Sequence, residues 1–264
     1  MKKIESAANA RFKLLRQLVD SSRERKKSGL TVLDGIHLVQ AYRSGIGAPE
    51  EIWISATGSN NNEIKQILND TPSSQILLLG DSLFDQLSQL ATPTGILAVV
   101  KTPRPRPAPA DMPACVLLED IQDPGNLGSI LRTAAAAGVR HVLLSKSSVH
   151  AWSPRALRAG MGAHFMVEIH EQAELLAIAT AFNGKVVATS RGAARSLYGC
   201  DLAGKVAFLF GNEGSGLSRA LKAAAHDEVS IPMPGKVESL NVAAAVAVCL
   251  FERVRQLTAV QSAK

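Results

Sequence analysis

The chain has 264 residues, 46% hydrophobic and 20% charged, with a net charge of +6 and a pI near 9.4. These values exclude a disordered or fibrous chain, and no apolar run is long enough to span a bilayer. The positive balance suits a polyanionic partner without requiring one. The length suggests two domains. Cys115, Cys200 and Cys249 lie in or beside apolar runs and read as buried reduced thiols. No N-terminal segment resembles a signal peptide, so a cytoplasmic protein is expected.

In chain order, the pattern predicts a basic amphipathic helix over about 5–20, then the charge-dense "SSRERKKSG". A strand "LTVLD", a helix from Gly35 to Tyr42, a strand "EIWIS" and a helix over 61–69 follow. A strand "QILLLG", a helix over 81–90 and a strand "GILAVV" complete residues 1–100 as an α/β domain. Its opening segment holds Lys2, Lys3, Arg11, Lys13, Arg16, Arg23, Arg25, Lys26 and Lys27 against Glu5, Asp20 and Glu24. This reads either as a solvated face or as an RNA backbone contact. Residues 101–113, "KTPRPRPAPADMP", form an extended Pro-rich linker, with a proline-rich docking peptide as the lesser alternative.

From 114 to 264 the alternation becomes more regular. Strands are predicted at "CVLLED", "HVLLS", "FMVEI", "KVVATS", "VAFLF" and "EVSIP". Helices are predicted at about 126–137, 154–160, 172–182, 215–224 and 239–257. Near-continuous apolar strands point to a parallel sheet covered on both faces, which binds ligands beyond its carboxyl edge.

Three loops at that edge carry polar residues. In "EDIQDPGNLGSILRTAAAAGV" (119–139), Asn126 reads as an N-cap. Leu127, Ile130, Leu131 and Ala134 form a core stripe, and Arg132 projects away from it. "LFGNEGSGLS" (209–218) is glycine-rich, but its Glu213 would repel a phosphate and no nucleotide fingerprint is present. Glu213 has a plain capping role as its alternative. "IPMPGKVESLN" (231–241) leads into a run from Val242 to Phe251 that is apolar throughout and reads as a buried helix. Ser239 is its expected N-cap, and Asn241 is a polar group in need of partners.

Together "DPGNLGSILRTA", "FGNEGSGLS" and "IPMPGKVESLNVAAAVA" resemble, in order and spacing, the three motifs of the SPOUT superfamily, in its SpoU/TrmH branch of RNA ribose 2′-O-methyltransferases. "LTVLDGIHLVQAY" is similar to the start of the ribosomal-protein-like substrate-binding domain often placed before it, with Asp34 where glutamate is commoner. The resemblance implies an α/β catalytic domain with a mostly parallel sheet and a trefoil knot. It implies S-adenosylmethionine as cofactor, a homodimer, and a structured RNA substrate, rRNA ahead of tRNA. By the same resemblance, Asn126, Arg132, Glu213, Ser239 and Asn241 match catalytic-site positions. Thr189, Ser190, Gly211, Asn212, Ile231, Met233 and Leu240 match the cofactor pocket. No metal is implied, and none of the six histidines forms a ligand pair in sequence.

Three rival readings remain. A non-catalytic RNA-binding protein on this scaffold would lack Arg132 or Asn241, and both are present. A nicotinamide or flavin oxidoreductase would need a glycine fingerprint where "EDIQDPGN" stands. A methyltransferase acting on a base or a small molecule is disfavoured by the motif set.

Overall fold

The computed structural model describes residues 1–109 and 111–262. Ala110 of the expected linker, and Ala263 and Lys264 of the expected catalytic domain, lie outside the described residues. Internal contacts divide the chain into two compact units. The first comprises Met1–Pro103 together with Trp152–Phe165, and the second Arg104–Ala151 together with the chain from Met166 onward.

The first unit contains β1 (Lys2–Ile4), α1 (Ala10–Asp20), α2 (Ser22–Ser28), β2 (Leu30–Asp34), α3 (Ile36–Gly45), β3 (Glu51–Ser55), α4 (Asn62–Asn69), β4 (Ile76–Leu79), α5 (Asp81–Asp85) and β5 (Ile96–Lys101). Its sheet has the order β1-β4-β3-β5-β2, and β5 runs antiparallel to both of its neighbours. Phe12, Leu15, Leu18 and Val19 of α1 pack on Val32, Trp53, Leu77 and Leu97 of the sheet. Burying each such side chain contributes about 1.5–3 kcal/mol before the cost of ordering it.

Two elements here escape the apolar pattern. Residues 2–4 form an edge strand ahead of the expected first helix. The charge-dense segment is a helix, capped by the Ser21 hydroxyl at the Glu24 N–H (3.3 Å) and ended by left-handed Gly29 (φ 66°). Arg25 is buried within it, and its Nη1 donates to the carbonyls of Leu18 (2.7 Å) and Val19 (2.9 Å). It thereby satisfies carbonyls that the end of α1 leaves unpaired. Arg23, Lys26 and Lys27 stay exposed.

The second unit holds β6 (Ala114–Leu118), α6 (Pro124–Ala136) and β7 (His141–Leu144). The chain then departs through α7 (Pro154–Gly160), which belongs to the first unit. It resumes with β8 (Glu168–His170), α8 (Leu175–Ala181), β9 (Lys185–Thr189), β10 (Arg195–Ser196), β11 (Val206–Phe210), α9 (Arg219–Ala223), β12 (Asp227–Ser230) and α10 (Val242–Ser262). The sheet order is β10-β12-β9-β11-β6-β7-β8, and every pairing is parallel. β6 and β11 are buried at every residue, as covered parallel strands require.

Several boundaries shift for local reasons. Strand "FMVEI" moves to 168–170, because Phe165 ends a 3-10 turn in the first unit. The helices expected at 81–90, 172–182 and 215–224 shorten; the last waits for the Ser218 cap because Gly216 is left-handed (φ 70°). Between Val242 and Phe251 only Val246, Cys249 and Leu250 are buried, while Phe251 is 48% exposed. α10 packs on α6 through one stripe, and its other face stays uncovered. The sheet also brings His141 and His170 together, with Nδ1 and Nε2 3.3 Å apart and both imidazoles lowered mainly by burial. No described helix is long and apolar enough to cross a membrane.

Candidate functional site

The loops following β6, β9, β11 and β12 leave the carboxyl edge of the parallel sheet, where sheets of this kind bind ligands. The first is set by Asp123. Its carboxylate accepts from the Asn126 N–H at 2.8 Å, making Asp123 the N-cap of α6 with Pro124 in the first turn. The cap expected at Asn126 therefore lies three residues earlier, because proline suits the first helical position and lacks the N–H that would need a partner. Leu127, Ile130, Leu131 and Ala134 are all fully buried, so the stripe fixes the helix's rotation. That rotation turns Asn126 toward the neighbouring loops and leaves Arg132 exposed.

Asn126 links the three loops. Its Nδ2 donates to Glu213 Oε1 at 3.1 Å, and its Oδ1 accepts from Asn241 Nδ2 at 2.9 Å. Because a carboxylate only accepts, Asn126 must present its NH₂ to Glu213, which in turn fixes the orientation of Asn241. The remaining oxygen of Asn241 accepts from the Ala243 N–H at 2.9 Å and its carbonyl accepts from the Ala245 N–H at 2.9 Å. Asn241 is thus the cap of α10. Ser239, expected in that role, is an exposed residue two positions before it, since the helix begins only at Val242.

Glu213 also accepts from the N–H groups of Gln122 (3.3 Å) and Asp123 (3.4 Å). Burial acts to raise its carboxyl. Hydrogen bonds from Asn126 and from the backbone of Glu213, Gln122 and Asp123 outweigh that and hold it below the usual range. The group is an anion at neutral pH with both oxygens engaged.

A cleft of about 510 Å³ opens beside this network. Thr189, Ser190, Gly211, Asn212, Ile231, Met233 and Leu240 all line it, as do Glu213, Ser239 and Asn241. Asn126 joins them through its hydrogen bonds. Arg132 does not line the cleft, and it has no hydrogen-bond or ion-pair partner among the described residues.

The β11 loop is a tight hairpin, bridged between Asn212 and Gly216. A Cβ on Gly211 would overlap the Gly216–Leu217 backbone, so glycine is required there. The Asn212 side chain braces the loop. Its Oδ1 accepts from the N–H groups of Gly214 (2.9 Å) and Ser215 (3.1 Å), and its Nδ2 donates to the Asp120 carbonyl (2.8 Å).

Three supports escape a reading of the sequence. Asp120 adopts a left-handed backbone (φ 55°) held by Ser145, whose Oγ donates to its carboxylate at 2.6 Å. Glu119 accepts from the Ser218 N–H at 2.7 Å, tying the start of α9 to the end of β6. Lys222 reaches the cleft from α9, 3.0 Å from Ser190 Oγ and 3.3 Å from Glu228. The acidic pair "ED" beside the first motif was the available signal for the first two.

Comparison with known proteins agrees with this geometry. Residues 113–251 match the SpoU rRNA Methylase family, and residues 9–98 match the MRM3-like substrate binding domain. The chain is 33% identical over 258 residues to an uncharacterized tRNA/rRNA methyltransferase of Synechocystis, covering 96% of this chain and 93% of that one. It is 30% identical to the 23S rRNA (guanosine(2553)-2′-O)-methyltransferase RlmP of Bacillus subtilis, covering 95% and 98%. Among solved structures, the AdoMet-bound rRNA methyltransferase of Sinorhizobium meliloti superposes with a TM-score of 0.84 at 25% identity, covering 97% and 98%. The chain belongs to the SpoU rRNA methylase family and is an RNA methyltransferase of that family.

Proposed function

We propose that the protein transfers the methyl group of S-adenosylmethionine to a ribose 2′-OH of ribosomal RNA. The observation that carries this reading is the Asn241–Asn126–Glu213 chain, which locks three separate loops around one cleft. The 2′-O activity and rRNA substrate named for the Bacillus subtilis relative, and the cofactor in the Sinorhizobium meliloti structure, support it.

The cleft fits the cofactor. Gly211 lets the hairpin that walls the cleft close on itself, and Ile231, Met233 and Leu240 line the cleft with apolar side chains. Those residues, with Thr189, Ser190 and Asn212, would hold S-adenosylmethionine. Once bound, it supplies an activated sulfonium methyl. In this reading the loop 231–241 takes the threading of the family's trefoil knot.

The chain's own groups then place the ribose and stabilise developing charge, and the 2′-hydroxyl proton passes to solvent water. Glu213, ionised and fully engaged, is a weak base; it serves as the frame that orients Asn126 and Asn241. Arg132, as a guanidinium, stabilises the developing alkoxide or anchors an adjacent phosphate. Arg132 stands apart from the cleft within one chain. A homodimer formed through the uncovered α10 face, which adjoins α6, offers a route for a second copy to supply it. The N-terminal domain, residues 1–100 joined by the 101–113 linker to the catalytic domain at 114–264, would grip the RNA.

The test is transfer of labelled methyl from S-adenosylmethionine to unmodified 23S rRNA and tRNA transcripts, with cofactor binding measured in parallel. Label in 23S rRNA is the expected result. Label confined to tRNA would overturn the rRNA assignment, and failure to bind cofactor would overturn the reaction.

A further inference from the structure

The first unit closes only with a segment borrowed from beyond the linker. Trp152–Phe165 leaves the second unit after Ala151 and returns to it at Met166. Thr31, fully buried on β2, donates to the Trp152 carbonyl at 2.7 Å, and Phe165 sets its ring edge-on to Tyr42 at 5.3 Å. This strap also forms one wall of a pocket of about 360 Å³, within the size range of ligand sites.

The pocket's lining combines two kinds of surface. Met161 is 44% exposed and ends α7 in a left-handed conformation (φ 48°), followed by Gly162 at φ 86°. The Met161 carbonyl lies 3.2 Å from His37 Nε2, and the exposed His37 lines the same pocket as Met161 and Leu90. A flat ring next to a polarisable apolar chain is a stacking surface for another flat ring. Around it stand Arg158, Asp34 and Glu63. Arg158 is fixed by a 2.6 Å bond to the Gln89 carbonyl, and Asp34 by Ser88 Oγ (2.9 Å) and the Gln89 N–H (2.8 Å). Planar donors and carboxylate acceptors at a stacking surface match the hydrogen-bonding edge of a base.

We propose that this pocket receives one unpaired nucleobase of the RNA substrate, stacked on His37 and Met161 and read by Arg158, Asp34 and Glu63. This rests on the RNA methyltransferase reading and adds to it a base-specific contact outside the cofactor cleft. A base contact carries affinity without releasing phosphate counterions, so it leaves the salt dependence of binding unchanged, whereas a phosphate contact reduces it.

The experiment measures binding of an unmodified 23S rRNA transcript at several salt concentrations for the wild-type protein, His37→Ala and Met161→Gly. Thermal melting confirms that each variant folds. At pH 8, each variant is expected to bind about 10-fold more weakly with the wild-type salt slope. A 6-thioguanosine-substituted transcript should crosslink within residues 34–40 or 158–161. Variants that bind within about twofold of wild type, or that lose salt slope instead, would overturn the pocket. Methyl transfer by the wild type in the same reactions reports separately on the function. Transfer with unaffected variants sinks the pocket alone; neither binding nor transfer by the wild type sinks both.

Discussion

Asn126 and Arg132 lie on the same helix, and α6 treats them in opposite ways. Asn126 has every amide atom committed, to Glu213 and to Asn241. Arg132 is exposed and has no partner among the described residues. A group that builds a site must be held by the protein before substrate arrives. A group that meets developing charge gains most when its partner appears only in the reaction. In the proposed reading Asn126 is of the first kind, visible as a network, and Arg132 of the second, visible only as an exposed side chain with no partner among the described residues.

That contrast breaks first at Arg132. Arg132→Ala is expected to lower the rate of methyl transfer by about 10²–10³ while leaving cofactor affinity nearly unchanged. Equal losses in both, measured by single turnover and calorimetry, would move Arg132 into the binding site. Gly211→Ala attacks the frame instead. Its Cβ cannot fit against the Gly216–Leu217 backbone, so it should lose about 1–3 kcal/mol of stability and most cofactor affinity. A variant that melts and binds as wild type would show the hairpin to be adaptable.

Glu213→Gln is milder, removing the charge and placing an NH₂ where two N–H groups and Asn126 already donate. A fall of about 10-fold in rate is expected. The folded carboxyl lies below its usual value of 4.5. Its ionised form therefore supports the frame at all pH above that value, and the support is lost as pH falls through the lower folded value. The acid limb of wild-type stability should flatten in Glu213→Gln; an unchanged limb would mean that another group dominates acid unfolding.

The smallest effects separate two cations in one charge run. Arg25→Ala should cost about 2 kcal/mol, since it strips donors from buried carbonyls of α1. Lys26→Ala should stay within about 0.5 kcal/mol by thermal melting. Similar losses from both would deny Arg25 its structural role.

Most strands were legible because covered strands are written as apolar runs, and the three motif loops because they follow those runs; β1 and β10 carry too few apolar residues to show. The α2 helix was not legible, because Ser22–Ser28 carries almost no apolar residue and is held by Ser21, Gly29 and Arg25. The Asn126 cap was misplaced although Pro124 already marked the first turn. The strap at 152–165 escaped because only long-range contacts assign it to the first unit. The Asn–Glu chain joins residues 87 and 115 positions apart, a pairing that no local pattern encodes.

The most direct test of the central claim locates the transferred methyl. Unmodified 23S rRNA is methylated with labelled S-adenosylmethionine, digested to nucleosides and separated. The account predicts a single labelled 2′-O-methyl nucleoside. Label recovered on a base, with ribose unmodified, would contradict it.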